Sequence, residues 1–278
     1  MAVTSSDKAK PPVITENDLM IFKIINLFGY VDRYFVEELL CPSKSKRYMQ
    51  FKVAGLLKFG YLEKEYAFFP REINPNQQEK YSVYRLGDKA IKMLQKYMQV
   101  GTHSKKDSVL HGTLMAHACM LSRTVMELCI SLESQQFEIV DIYNDRGNFN
   151  VETLIQPDAT IVFATPTDPV RFGAIYIEME RNYKNINELT KKLIRYSSAI
   201  NNKKFDSVLG HPIVDSRLIY ICSNISMKDD LVGKLKQIDV TGVKVLVSSY
   251  EELCLNKLDT EYEQPYASEK TKLVRKVE

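Results

Sequence analysis

The sequence predicts a two-part α+β chain, an N-terminal winged helix followed by an α/β domain. Three observations lead there. Residues 15–98 hold three short helical stretches and then two β-rich runs, and the residues beyond about 105 alternate strand and helix patterns. A length of 278 residues at 45% hydrophobic also suffices for one large core or two smaller ones. The expected division is a flexible leader over 1–14, a winged helix over 15–98, an α/β domain over 105–250 and a charged tail over 251–278.

The first helix is expected in "ENDLMIFKIINLF", with Thr15 as its cap, Ile21, Ile24, Ile25 and Phe28 at helical spacing, and Gly29 as its stop. "DRYFVEELL" suggests a second short helix. After Cys41 and Pro42, the hydroxyl of Ser43 or Ser45 can cap a third, "KRYMQFKVAGLLKFG", with Met49, Val53, Leu56 and Leu57 inward. "YLEKEYAFF" and "KYSVYRL" are β-rich, and "PREINPNQQE" between them suits a hairpin tip. Three helices and a hairpin in this order make a winged helix, and "YRLGDKAIKML" carries the chain out of the wing into a helix.

The net charge of +3 does not mark a nucleic-acid binder by itself, so a basic surface has to come from clustering. The third helix supplies it: Lys44, Lys46, Arg47, Lys52 and Lys58 would line its outer face and displace counterions from duplex DNA. Arg47 and Gln50 are candidates for base-edge contacts. Winged helices also serve as protein-interaction modules, and that alternative stays open.

In the second part, "SVLHGTLMAHACMLSRTVMELCISL" reads as a long helix with Leu110, Leu114, His117, Leu121, Val125 and Leu128 near one stripe. Strands are expected at "FEIVDIY", "ATIVFA", "GAIYIEME", "RLIYICS" and "VKVLVS", and helices over 187–200 and 229–238. Five cysteines form no C-x-x-C pair, which suits reduced thiols in a cytoplasmic protein. No signal-peptide pattern opens the sequence, and no run approaches the roughly 18–20 apolar residues of a membrane span.

The familiar nucleotide-loop, nucleophile-elbow and H-E-x-x-H patterns are absent. His111 and His117, six apart, do not share a helix face as metal ligands would. The informative stretch is "LIQPDATIVFATPTDPVRFGAIYIEMER". Strand alternation puts Tyr176, Glu178 and Glu180 on one face and Ile175, Ile177 and Met179 on the other. With Asp158 alongside, three carboxylates about 5 Å apart would repel by roughly 3 kcal/mol per pair at an effective dielectric of about 20. Such a cluster suits Mg²⁺ or Mn²⁺, which could position a phosphodiester and activate water. Solvated acids at strand ends are the plainer reading.

"PDA" before a strand, a next strand ending "IEMER" and a helix "INELTKKLIRY" resemble the PD-(D/E)xK nuclease fold as varied in plasmid replication-relaxation proteins. The resemblance extends to MobC-type relaxases, which join a winged helix to a restriction-endonuclease-like domain, and it covers roughly residues 15–250. It implies Asp158 and Glu178 as metal ligands, with Glu152 or a residue near His111 as a further acid or hydrogen-bonding group. Glu180 stands where the standard motif has lysine. Lys192 from the following helix is the expected substitute, Lys184 is a second source, and Arg181 and Arg195 are candidates to clamp phosphate.

Two functions follow from these residues. One is a plasmid or mobile-element protein of replication or mobilisation that binds double-stranded DNA and nicks it. The other is a non-catalytic regulator whose nuclease-like domain is a homodimerisation platform or docks a replication initiator or mobilisation protein.

Overall fold

The computed structural model describes residues 11–36, 44–67, 81–97, 113–144, 155–165, 168–182, 184–239, 242–256, 261–264 and 270–272. They fall into two compact units, the first reaching Met115 and the second beginning at Ala116. Mixed α and β structure is present throughout, with a three-stranded and a seven-stranded sheet.

In the first unit, α1 (Glu16–Phe28) starts at Thr15, whose hydroxyl accepts from Asp18 N while the Asp18 carboxylate accepts from Thr15 N at 2.7 Å. This reciprocal arrangement satisfies two donors that a helix start leaves without partners. Ile21, Phe22, Ile25 and Phe28 are buried, and Gly29 ends the helix at φ 78°. β1 (Val31–Asp32) follows, and residues 33–36 are helical. Positions 37–40, the rest of the expected second helix, lie outside the described residues.

Ser45 caps α2 (Lys46–Lys58), accepting from Tyr48 N at 3.2 Å. Met49, Val53 and Leu56 form its buried stripe, and Leu57, expected inside, is half-buried at the stripe's margin. β2 (Leu62–Ala67) and β3 (Tyr81–Leu86) pair antiparallel, β1 adds to β3, and α3 (Asp88–Tyr97) buries Ala90 and Leu94. The polar segment expected at the hairpin tip lies outside the described residues.

The second unit is built on the sheet β10-β9-β8-β7-β6-β5-β4. α4 (Thr113–Ser134) leads into an antiparallel meander of β4 (Glu138–Asn144), β5 (Ala159–Thr165) and β6 (Asp168–Glu180). α5 (Ile186–Asn201) and the short α6 (Lys204–Leu209) then cross over to β7 (Ile213–Cys222), which runs parallel to β6. α7 (Ile225–Leu235) repeats the crossover to β8 (Lys244–Ser249). A stretch read as a charged tail instead holds α8 (Tyr250–Asn256), β9 (Glu261–Glu263) and β10 (Lys270–Lys272), the last two extending the sheet antiparallel.

Alternation along β6 sorts its two faces. Ala174 and Tyr176 pack with Leu189, Leu193 and Tyr196 of α5 and with Leu218, Tyr220 and Cys222 of β7. Tyr176 and Phe205 stack with centroids 4.3 Å apart. Where Phe163 pairs with Gly173 across β5 and β6, the ring occupies the missing side chain's place, so a Cβ at Gly173 would stand 2.3 Å from ring carbon Cζ.

α4 keeps the expected burial of Leu121, Val125 and Leu128 but does not confine burial to one stripe. Leu114 is 51% exposed, whereas Cys119, Met120, Val125 and Leu132 are fully buried at positions spread around the helix. A helix enclosed on most sides loses the one-face periodicity from which an orientation can be read. Leu110 and His111 lie outside the described residues. Cys119, Cys129 and Cys222 are buried thiols, and burial pushes those of Cys129 and Cys222 up to about 12. Among the described residues no helix is long and apolar enough to cross a membrane.

Candidate functional site

The expected site residues meet at the C-terminal end of β6. Tyr176, Glu178 and Glu180 share the face covered by α5, where Glu178 and Glu180 are buried at 2% and 5% exposure. Asp158 immediately precedes β5, and its N–H donates to Ile177 O at 3.0 Å. One step beyond the Ala159–Ile177 pair, it therefore stands across from Glu178. Its Oδ2 accepts from Met179 N at 2.7 Å, continuing with a side chain the ladder that β5 has ended.

α5 brings the remaining groups. Asn185 caps it, accepting from Asn187 N at 2.8 Å, and Leu189, Leu193, Tyr196 and Ala199 form its buried stripe. Lys192 and Tyr196, four residues apart, lie on one edge of that stripe and both reach Glu178. The Tyr196 hydroxyl donates to Oε1 at 2.6 Å, and the Lys192 ammonium pairs with Oε2. Lys192 Nζ also lies 3.9 Å from Glu180 Oε1. Glu180 is paired with Lys184, whose backbone carbonyl accepts from Lys234 Nζ at 2.9 Å, and this tethers the loop after β6 to α7.

Two lysines thus stand inside the acid cluster. Unrelieved repulsion among the acids would call for a divalent cation, but the ammonium groups of Lys192 and Lys184 already stand against Glu178 and Glu180. Among the described residues, no group of three or more His, Cys, Asp or Glu side chains is placed to hold a metal ion. Burial nevertheless drives the Glu178 carboxyl up to about 7; the Asp158 charge adds to this, while Lys192 and Tyr196 oppose it. Burial also lowers the Arg181 guanidinium from its ordinary value, against the attraction of Asp158. Burial and Glu178 together raise the Tyr196 hydroxyl well above its usual range, so it stays a hydrogen-bond donor at any physiological pH.

His117 on α4 places Nε2 3.8 Å from Asp158 Oδ1. Glu152 lies outside the described residues, and Arg195 is exposed on α5. The positions of Tyr196 and His117 beside the acids did not emerge from the sequence. For Tyr196 the available signal was its place four residues after Lys192; for His117 there was none, because α4 has no single buried face. A narrow cleft beside Glu180 and Lys184, lined also by Cys222, Met227 and Asp230, has a volume of about 10 Å³, room for about one water molecule and far below the roughly 300–1,000 Å³ usual for small-molecule pockets.

The DNA-binding candidates lie on α2 and at its start. Lys44, Lys46 and Arg47 are exposed and Gln50 is half-buried. Lys52 departs from the outward position expected of it. Its ammonium pairs with the buried Asp18 carboxylate at 2.8 Å, and its side chain is 17% exposed. The flexible stem turns back toward α1, so this charge is spent inside the unit. Comparison with protein-family models, curated proteins and solved structures finds no match to this chain.

Proposed function

We propose that the chain binds double-stranded DNA through its first unit, acting as a winged helix, and cuts DNA phosphodiesters in a PD-(D/E)xK nuclease-like second unit. Its setting would be the replication or mobilisation of a plasmid or other mobile element. The observation that carries this reading is Lys192. The motif lysine is missing at position 180, and α5 returns an ammonium group to the same place, in contact with Glu178 and 3.9 Å from Glu180. The order helix, three antiparallel strands, crossover helix and parallel strand supports the same reading.

Asp158 and Glu178 would hold Mg²⁺ or Mn²⁺. They fit as hard oxygen donors. Asp158 Oδ1 is 3.8 Å from His117, beyond hydrogen-bond length, and each Glu178 oxygen keeps a lone pair after accepting from Lys192 or Tyr196. When bound, such an ion lowers the pKa of a coordinated water and neutralises charge at phosphate. The chain's own groups do the rest. Tyr196 fixes the Glu178 carboxylate, Met179 N fixes that of Asp158, and Lys192 offers a cation to the charge that develops on the scissile phosphate.

Nicking of supercoiled plasmid by the purified chain with Mn²⁺, lost in Asp158→Ala, is the test. One observation favours a second reading. Because Lys192 and Lys184 already compensate the acids, the fold is satisfied without an ion, as a non-catalytic docking or dimerisation platform requires. Wild-type protein that binds DNA and never nicks it would leave that platform as the function.

A further inference from the structure

The outer face of α2 carries more than positive charge. At about 100° per residue, Arg47, Phe51, Ala54 and Lys58 fall within an arc of about 60° opposite the buried Met49, Val53 and Leu56. All four are exposed, Phe51 at 81%, and the 13 residues of the helix contain no carboxylate. The stripe is therefore cationic at both ends and apolar in its middle. Arg47 and Lys58 are about 16 Å apart along the axis, enough to reach phosphates on both rims of a major groove about 12 Å wide. The helix N-terminus, with Lys44 and Lys46 exposed beside it, adds to the attraction for phosphate.

A phenyl ring and a methyl group held against the groove floor cannot hydrogen-bond to base edges. The apolar group that the major groove presents is the thymine C5-methyl. We propose that α2 reads thymine methyl groups through Phe51, with Ala54 leaving room beside it and Arg47 and Lys58 anchoring the helix to phosphate. The chain thereby prefers A·T-containing sites. This inference rests on the DNA-binding reading of the first unit.

The experiment compares binding of the full chain to an alternating dA–dT duplex and to the dA–dU duplex of the same length, which differ only by the methyl group. Wild type should bind the thymine duplex about fourfold more tightly for each methyl buried. Phe51→Ala changes an exposed side chain, and it should erase that preference while leaving the dependence of affinity on salt unaltered, since no charge is removed. Equal affinity of wild type for the two duplexes, with salt-dependent binding to both, overturns the thymine reading and leaves DNA binding standing. A preference that survives Phe51→Ala also overturns it, because duplex shape would then be the cause. Binding to neither duplex at low salt overturns the DNA reading itself. Loss of self-association in Phe51→Ala, without thymine discrimination in wild type, assigns the face to a second copy of the chain.

Discussion

Each unit of the molecule buries a carboxylate and answers it with a lysine from a helix, yet the two pairs do different work. Asp18 in the first unit accepts from Thr15 N, Thr15 Oγ1 and Lys52 Nζ through one oxygen. Starting α1 and tying α2 to it account for the whole of that charge. Glu178 in the second unit sits inside a strand, caps nothing, and has Glu180 and Asp158 beside it. A buried ion pair is seldom more stabilising than the apolar residues that would fit its place. A buried acid–lysine pair is therefore not itself a sign of function. Function is signalled by acids in excess of any local structural need, gathered where their protonation is perturbed.

The largest expected effects separate the pairs by activity. Asp158→Ala and Glu178→Ala should abolish Mn²⁺-dependent plasmid nicking while leaving DNA affinity nearly intact, because the proposed phosphate contacts are assigned to the first unit. Lys192→Ala should slow nicking by about 10²- to 10⁴-fold, the range of a positioned acid–base or charge-stabilising group. A folded Asp18→Ala variant should nick at a near wild-type rate. Nicking that persists after both acid substitutions would sink the assignment of the site.

Stability should sort them in the opposite order. Asp18→Ala removes a cap and strips Lys52 of its partner, so the first unit should lose about 2–4 kcal/mol in denaturant unfolding. Adding Lys52→Met should recover part of that loss. A change below about 0.5 kcal/mol would show that the capping box contributes little and would weaken the contrast.

Divalent metal should stabilise the second unit and not the first, by about 2.7 kcal/mol at a hundredfold excess over Kd. Glu178→Gln should remove this stabilisation, whereas Asp18→Asn should not. A Tm unmoved by Mg²⁺ and Mn²⁺ in wild type would count for the docking platform.

Period and register made most of the site readable in the sequence. The two-residue alternation of β6 put Glu178 and Glu180 on one face, and the strand beginning at Ala159 put Asp158 beside them. Lys192 came instead from the resemblance, whose missing motif lysine had to be sought on the following helix, and α5 brings it to Glu178. What stayed hidden depends on side-chain reach and enclosure. The Lys52 stem turns inward to Asp18 from a position that reads as outward, and the Lys184–Glu180 pair depends on a loop held by Lys234. α4 is buried on most sides, so neither the exposure of Leu114 nor the approach of His117 to Asp158 could be read from a stripe. The segments β9 and β10, three residues each, carry too little alternation to stand out from a charged tail.

The most gradual effect is a pH dependence from Glu178, spread over several pH units and measured with a chelator present so that no cation competes. Burial, with Asp158 adding, holds its carboxyl at about 7 in the folded chain, above the ordinary 4.5 that the unfolded chain keeps. Between these values the folded state binds more protons than the unfolded one, so stability falls as pH rises. The contribution is complete below about 4.5 and gone above about 7, and it amounts to at most about 3 kcal/mol. Asp215, lowered by Arg217 and Lys244 against the cost of burial, works in the opposite direction, and its stabilisation is lost only as pH falls below the ordinary carboxylate range. The two effects therefore occupy separate pH windows. Glu178→Gln keeps the shape of the side chain and removes its titration, so unfolding free energies of this variant should run flatter than wild type between pH 4.5 and 7 and parallel to it below pH 4. Parallel curves over the whole range would mean that Lys192 holds Glu178 ionised throughout, and the contrast with Asp18 would then rest on the neighbouring acids alone.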